Sequence, residues 1–199
     1  MKKIYFLLLT AMMFVGSSFA QTTLIDPTTD GGFEIGATPA ASGWTAVNGA
    51  PDSWIVGTGA AVSAGTNAAY IANGTTWTYS QISTIQHLYK DIAIPAGNTK
   101  LALSFKWKVG GEGSGTSDWD NMKVFLAPTT VTPTLATAIP VANQISGAGA
   151  VSAMYKLNSA AYNSETINVS VIPGTTYRDR KSTRLNSSHR NTSRMPSSA

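Results

Sequence analysis

The chain has 199 residues, 43% of them hydrophobic and only 12% charged, with 18 Gly, 9 Pro and no Cys. Lack of Cys excludes disulfides, thiolate metal sites and Cys nucleophiles, and the ordinary Gly and Pro content excludes collagen-like and wholly disordered chains. The net charge of +4 comes from the two ends: residues 21–178 hold seven basic and nine acidic side chains, a net of −2, which leaves no electrostatic footprint for nucleic acid or an anionic membrane.

Residues 1–20 have the pattern of a secretory signal peptide. Lys2 and Lys3 form the charged start, Ile4 to Val15 the apolar run, and Ser18-Phe19-Ala20 the small-x-small cleavage signal. The mature chain is expected to begin at Gln21. About twelve apolar residues fall short of the roughly 20 that a spanning helix needs, so no membrane span is expected.

Strand signals then recur, and helix signals are nearly absent. Ala68–Ala72 and Trp77–Ile82 are short candidates. Leu88–Ile94 places Leu88, Ile92 and Ile94 together and ends at Pro95-Ala96-Gly97. From Leu101 to Val109, Leu101, Leu103, Phe105, Trp107 and Val109 alternate with Ala102, Ser104, Lys106 and Lys108. This is the period of a strand with one packed and one wet face. Asn121–Ala127 sets Met122, Val124 and Leu126 on one face. Pro128 to Pro140 predicts a long connection or an edge, because Pro lacks the ladder N–H. Ile167–Ile172 is the last candidate. Short strands between Gly-, Ser-, Asn- and Pro-rich turns predict an all-β antiparallel sandwich or jelly roll.

The segment after Arg178 stands apart. Asp179 to His189 (DRKSTRLNSSH) resembles the translation of a sequencing-library adapter. Ser193 to Ala199 resembles the adapter's second constant stretch, in order and in frame. The alternative is a basic tail for an acidic partner. The adapter resemblance sets the domain at 21–178 and 179–199 outside the fold, with the natural chain cut short.

Several short motifs occur in a fixed order: Gly31-Gly32-Phe33-Glu34, Gly43-Trp44, Trp54-Ile55-Val56-Gly57, Ala69-Tyr70-Ile71, Leu88-Tyr89-Lys90-Asp91-Ile92, Leu103-Ser104-Phe105-Lys106-Trp107, Gly111-Glu112-Gly113, Asp120 to Leu126, and Gly174-Thr175-Thr176-Tyr177-Arg178. The string resembles the adhesin-like jelly-roll modules of type IX secretion substrates, which are similar to cleaved-adhesin and MAM-like domains. The resemblance implies a secreted or surface-attached protein of several domains. It also implies a structural calcium in some modules, and a role for Glu34 beside a terminal-strand Asp.

Catalytic constellations are weak. A Ser nucleophile needs a His base within hydrogen-bond reach, and His87 is the one His before the adapter-like tail. Glu112, Asp118 and Asp120 lie close enough in sequence to weigh a carboxylate pair, but the Gly/Ser-rich loop around them reads as solvated. No enzyme activity is expected. For a metal, hard cations collect carboxylate and carbonyl oxygens, so Glu34, Asp118 and Asp120 are the candidate Ca2+ ligands; the other reading is Asp turn chemistry. For ligand binding, Trp44, Trp54, Trp77 and Trp119 lie near loops or strand ends, where exposed rings stack on sugar faces. The alternative is that they cap the sandwich core. The function expected is a non-catalytic module binding carbohydrate or a glycoprotein. An accessory module of a secreted hydrolase and a structural spacer are the other readings.

Overall fold

A computed structural model describes residues 21–60, 62–75, 78, 80, 82–108, 121–145 and 161–185. They form an all-β antiparallel sandwich. In chain order the strands are β1 (Thr45–Val47), β2 (Ser53–Gly57), β3 (Ala68–Ala72), β4 (Thr84–Ala93), β5 (Lys100–Trp107), β6 (Asn121–Pro128), β7 (Asn163–Ser170) and β8 (Thr176–Leu185). One layer is a four-stranded sheet of order β1-β4-β8-β6. The facing layer is made of two antiparallel pairs, β2-β3 and β5-β7.

The period-two segments become strands as their patterns predict. In β5 Leu103 is buried while Ala102, Ser104 and Lys106 face water. A turn closes by Asn98 N–H donating to Pro95 O at 3.2 Å, with Gly97 at φ +89°, and it joins β4 to β5. Only glycine adopts that backbone freely at the third turn position.

The two layers meet in three apolar clusters. Trp44 and Trp54 pack with Ile71 and Leu88, and Phe33 and Ile25 lean on them. Ile92, Ile94, Leu126 and Val171 form a second group. Leu103 meets Val124 in a third, with Phe105 and Trp107 alongside. Residues 129–143 run without strand structure over the other face of the large sheet. There His87 Nε2 lies 3.1 Å from the carbonyls of both Thr134 and Thr137, and Ala136 N–H donates to Ile85 O. Of the two expectations for 128–140, the connection holds from Thr129 onward, while Pro128 is the last residue of the edge strand β6; the connection buries the outer face of β4, β8 and β6.

The C-terminal boundary differs from the sequence reading. β8 does not stop at Arg178 but continues to Leu185 as the strand between β4 and β6. Asp179 and Arg180 are both fully buried. So 179–185 are inside the fold and correct the expected end of the domain, while 186–199 lie outside the described residues. The physical reason is that a β ladder is read through main-chain N–H and C=O groups, so side chains of unsuitable composition do not prevent a segment from entering it.

Candidate functional site

Between the layers lies a cleft of about 1240 Å³. Its apolar floor includes Trp44, Trp54, Leu88 and Ile92; β5 supplies Phe105 and Trp107 to one wall, and β3 and residues 21–25 border the rest. Asn67, Asn98 and Thr99 stand among the bordering polar residues. Large clefts of this kind, apolar inside with a few polar groups around, are where ligands bind.

Two charged residues of β8 also line this cleft. Lys181 Nζ sits 2.5 Å from Asp179 Oδ2, and 4.7 Å and 5.7 Å from the ring centres of Trp44 and Phe105. The ammonium is held by a carboxylate and two aromatic faces, a cation–π arrangement that gains strength away from water. Among the described residues the other Asp179 oxygen, Oδ1, has no hydrogen-bond partner.

Trp44 and Trp54 are not exposed rings: only 4% and 6% of their surfaces reach solvent. Trp44 Nε1 donates to Asp30 O at 2.9 Å, and the ring meets Phe33 at a centroid distance of 5.5 Å. Asn48 clasps Trp54, its Oδ1 accepting from Trp54 N–H and its Nδ2 donating to Trp54 O. The Asp30 bond to Trp44 and the packing of both indoles with Ile71 and Leu88 hold them in the core, so they form floor rather than open stacking platforms, the core-capping reading of the two that the sequence leaves open. Trp77 and Trp119 lie outside the described residues.

Glu34 has a structural occupation. Its Oε1 accepts from the backbone N–H groups of Thr66 (2.9 Å) and Asn67 (3.0 Å), tying the loop before β3 to the N-terminal turn. Gly65 permits this closeness: with φ at +73°, a Cβ there would stand 2.3 Å from Glu34 Oε1. The sequence signal for this role is absent, since a carboxylate reaching amides 32 residues away has no local pattern. Asp118 and Asp120 lie outside the described residues, and among the described residues no three His, Asp or Glu side chains stand together as a metal set. Glu34→Ala is expected to lower stability by about 1–2 kcal/mol, the cost of two amides without their acceptor. Glu34→Gln, which keeps an oxygen, should lose less; denaturant midpoints of the two variants measure the difference.

Asp30, Lys90 and His87 act in packing. Burial works to raise the Asp30 carboxyl, but hydrogen bonds from Lys90 and from backbone N–H groups outweigh it and hold the acid below its ordinary value; Lys90 Nζ is 2.9 Å from Asp30 Oδ2. His87 is fully buried under residues 134–137, and burial lowers its basicity, with the Arg180 charge adding to the same effect. Its place on the covered outer face is away from the cleft.

The chain matches no family, no curated protein and no solved structure. Among the described residues no helix is long and apolar enough to cross a membrane.

Proposed function

We propose that this chain is a non-catalytic binding module of a secreted or surface-attached protein, and that it holds carbohydrate or a glycoprotein in the cleft between its layers. One observation carries the reading: a cleft of about 1240 Å³ that combines aromatic walls with amide and hydroxyl groups at its border. Phe105 and Trp107, half-buried on β5, replace Trp44 and Trp54 as the rings nearest a ligand. Apolar ring surface removed from water drives such contacts, and the polar groups orient the bound hydroxyls.

A broad glycan array probed with the full chain tests this. The expected result is binding of at least one glycan class, with a change in Trp fluorescence on titration. Phe105→Leu should weaken that binding by about ten-fold, or roughly 1.4 kcal/mol, with an unchanged circular dichroism spectrum. No binding anywhere on the array would overturn the carbohydrate reading in favour of a spacer.

A further inference from the structure

The chain contains two Asn-Gly pairs, Asn48-Gly49 and Asn73-Gly74. Both asparagines reach water, but the fold holds them differently. Asn48 Nδ2 donates to Trp54 O at 3.0 Å and its Oδ1 accepts from Trp54 N–H at 2.8 Å, so this amide is committed at both ends. Gly49 is enclosed as well: its carbonyl accepts from Gln86 Nε2 at 3.2 Å, and a Cβ built on it would stand 2.8 Å from Leu135 Cδ1. Asn73 follows the end of β3 in an exposed turn, and among the described residues its side chain has no hydrogen-bond partner. Gly74 is exposed too, at φ +100°, with nothing within 4 Å of the place a Cβ would take. Glycine turns freely and carries no side chain to shield its backbone nitrogen. Whether two neighbouring groups react depends on their reaching an attack geometry, and of the two pairs only Asn73-Gly74 is left loose enough to do so.

We propose that Asn73 is a self-modification site, where the side-chain amide is converted to a carboxylate without an enzyme. The Gly74 backbone nitrogen attacks Asn73 Cγ. A bond forms between them, the Cγ–Nδ2 bond breaks, and ammonia leaves with the proton that the Gly74 nitrogen gives up. No electrons are exchanged, and the product is a succinimide. Water then opens the ring. Cleavage at Cγ gives an aspartyl residue, and cleavage at the main-chain carbonyl gives an isoaspartyl residue with its methylene inserted into the backbone. Either product carries a new negative charge at neutral pH. The turn that changes is tied to the cleft. Tyr70, which lines the cleft, donates from its hydroxyl to Thr75 O at 2.9 Å and accepts from Gly59 N–H at 3.1 Å. Gly59 packs so closely on this turn that a Cβ there would stand 1.9 Å from Thr75 O. Lengthening the backbone between β3 and Thr75 displaces Thr75 O and loosens the hold of Tyr70 on Gly59.

The test incubates the full chain at mildly alkaline pH, with and without denaturant, and maps its peptides by mass spectrometry. In the folded chain the Asn73 peptide is expected to convert about ten-fold faster than the Asn48 peptide, or more. In denaturant, where neither pair is held, the two rates should converge. Equal rates in the folded chain, or no conversion at Asn73, overturn the proposal. So does the same excess in denaturant, since local sequence rather than the fold then sets it. Asn73→Gln keeps an amide but must close a larger ring, and should abolish conversion at this position with an unchanged circular dichroism spectrum. Backbone hydrogen exchange reads the consequence. Gly59 N–H should exchange faster in the aged chain and not in aged Asn73→Gln. Unchanged exchange at Gly59 in a fully converted chain overturns the coupling through Tyr70.

Discussion

Ending the chain at Arg178 is expected to abolish its cooperative thermal transition. The lost residues look dispensable by composition, yet they fill the centre of the larger sheet. From Asp179 to Leu185 they face Lys90 back to Thr84 on β4, and from Asp179 to Arg184 they face Leu126 back to Asn121 on β6. Deletion leaves main-chain groups on both flanking strands without partners and uncovers Leu88 and Val124, which are 1% and 0% exposed. Each lost ladder bond is worth about 0.5–1.5 kcal/mol net, and more where a group stays buried and unpaired. Several such losses reach the 5–15 kcal/mol that roughly bounds a domain's whole stability. Far-UV circular dichroism of the full and shortened chains against temperature is the measurement. A shortened chain that melts cooperatively within a few degrees of the full one would mean that β4 and β6 do not depend on this strand.

The legible and illegible parts of the sequence divide along physical lines. β5 could be read because its outer face is wet: Ala102, Ser104 and Lys106 mark every second position. β3 and the core of β4 were legible for a related reason, their apolar residues being bounded by turn chemistry. β8 was not. Tyr177-Arg178-Asp179-Arg180-Lys181-Ser182 has no apolar alternation, and charged residues argue against a strand buried on both faces. What places it there is non-local: β4 on one side, β6 on the other and residues 129–143 above. Which of the two readings of Trp44 and Trp54 holds, exposed contact or core cap, is equally non-local, since their cover comes from Ile71, Leu88 and Phe33, contacts that no local pattern announces. The cleft itself belongs to the pairing of strands.

Arg180→Leu is expected to stabilise the full chain, the opposite sign to removal of the strand that contains it. The Arg180 guanidinium is fully buried, and Nη2 donates to Val131 O at 2.7 Å, but among the described residues Nε and Nη1 have no hydrogen-bond partner. Its neighbour Arg178 takes the available carboxylate, donating from Nε to Asp91 Oδ1 at 2.6 Å and from Nη2 to Oδ2 at 2.8 Å. Arg178 also sits closer over the Tyr89 ring, at 4.4 Å against 5.9 Å for Arg180. Burial, and next the Arg178 charge, push the Arg180 pKa down to about 10. A base whose pKa falls on folding binds its proton less well in the native state, so at neutral pH its charge opposes folding, and the penalty eases only as pH rises from about 10 toward its ordinary value. Leucine removes the charge and places apolar surface between Phe125 and Tyr89, the cross-strand partners of this position. Replacing a buried ion by an apolar side chain can gain roughly 1–4 kcal/mol, against which the lost bond to Val131 counts about 1 kcal/mol. A net gain of about 2 kcal/mol corresponds to a melting temperature higher by roughly 4–8 °C for a chain of this size. Arg178→Leu is the contrast: it breaks a two-point contact with Asp91 and should lower the melting temperature slightly, because a pair this close to solvent is worth about 1 kcal/mol or less. A lower melting temperature for Arg180→Leu would show that the guanidinium is matched to its surroundings. A higher one would show that the slot between β4 and β6 favours an apolar strand and holds 179–182 through the backbone despite their side chains.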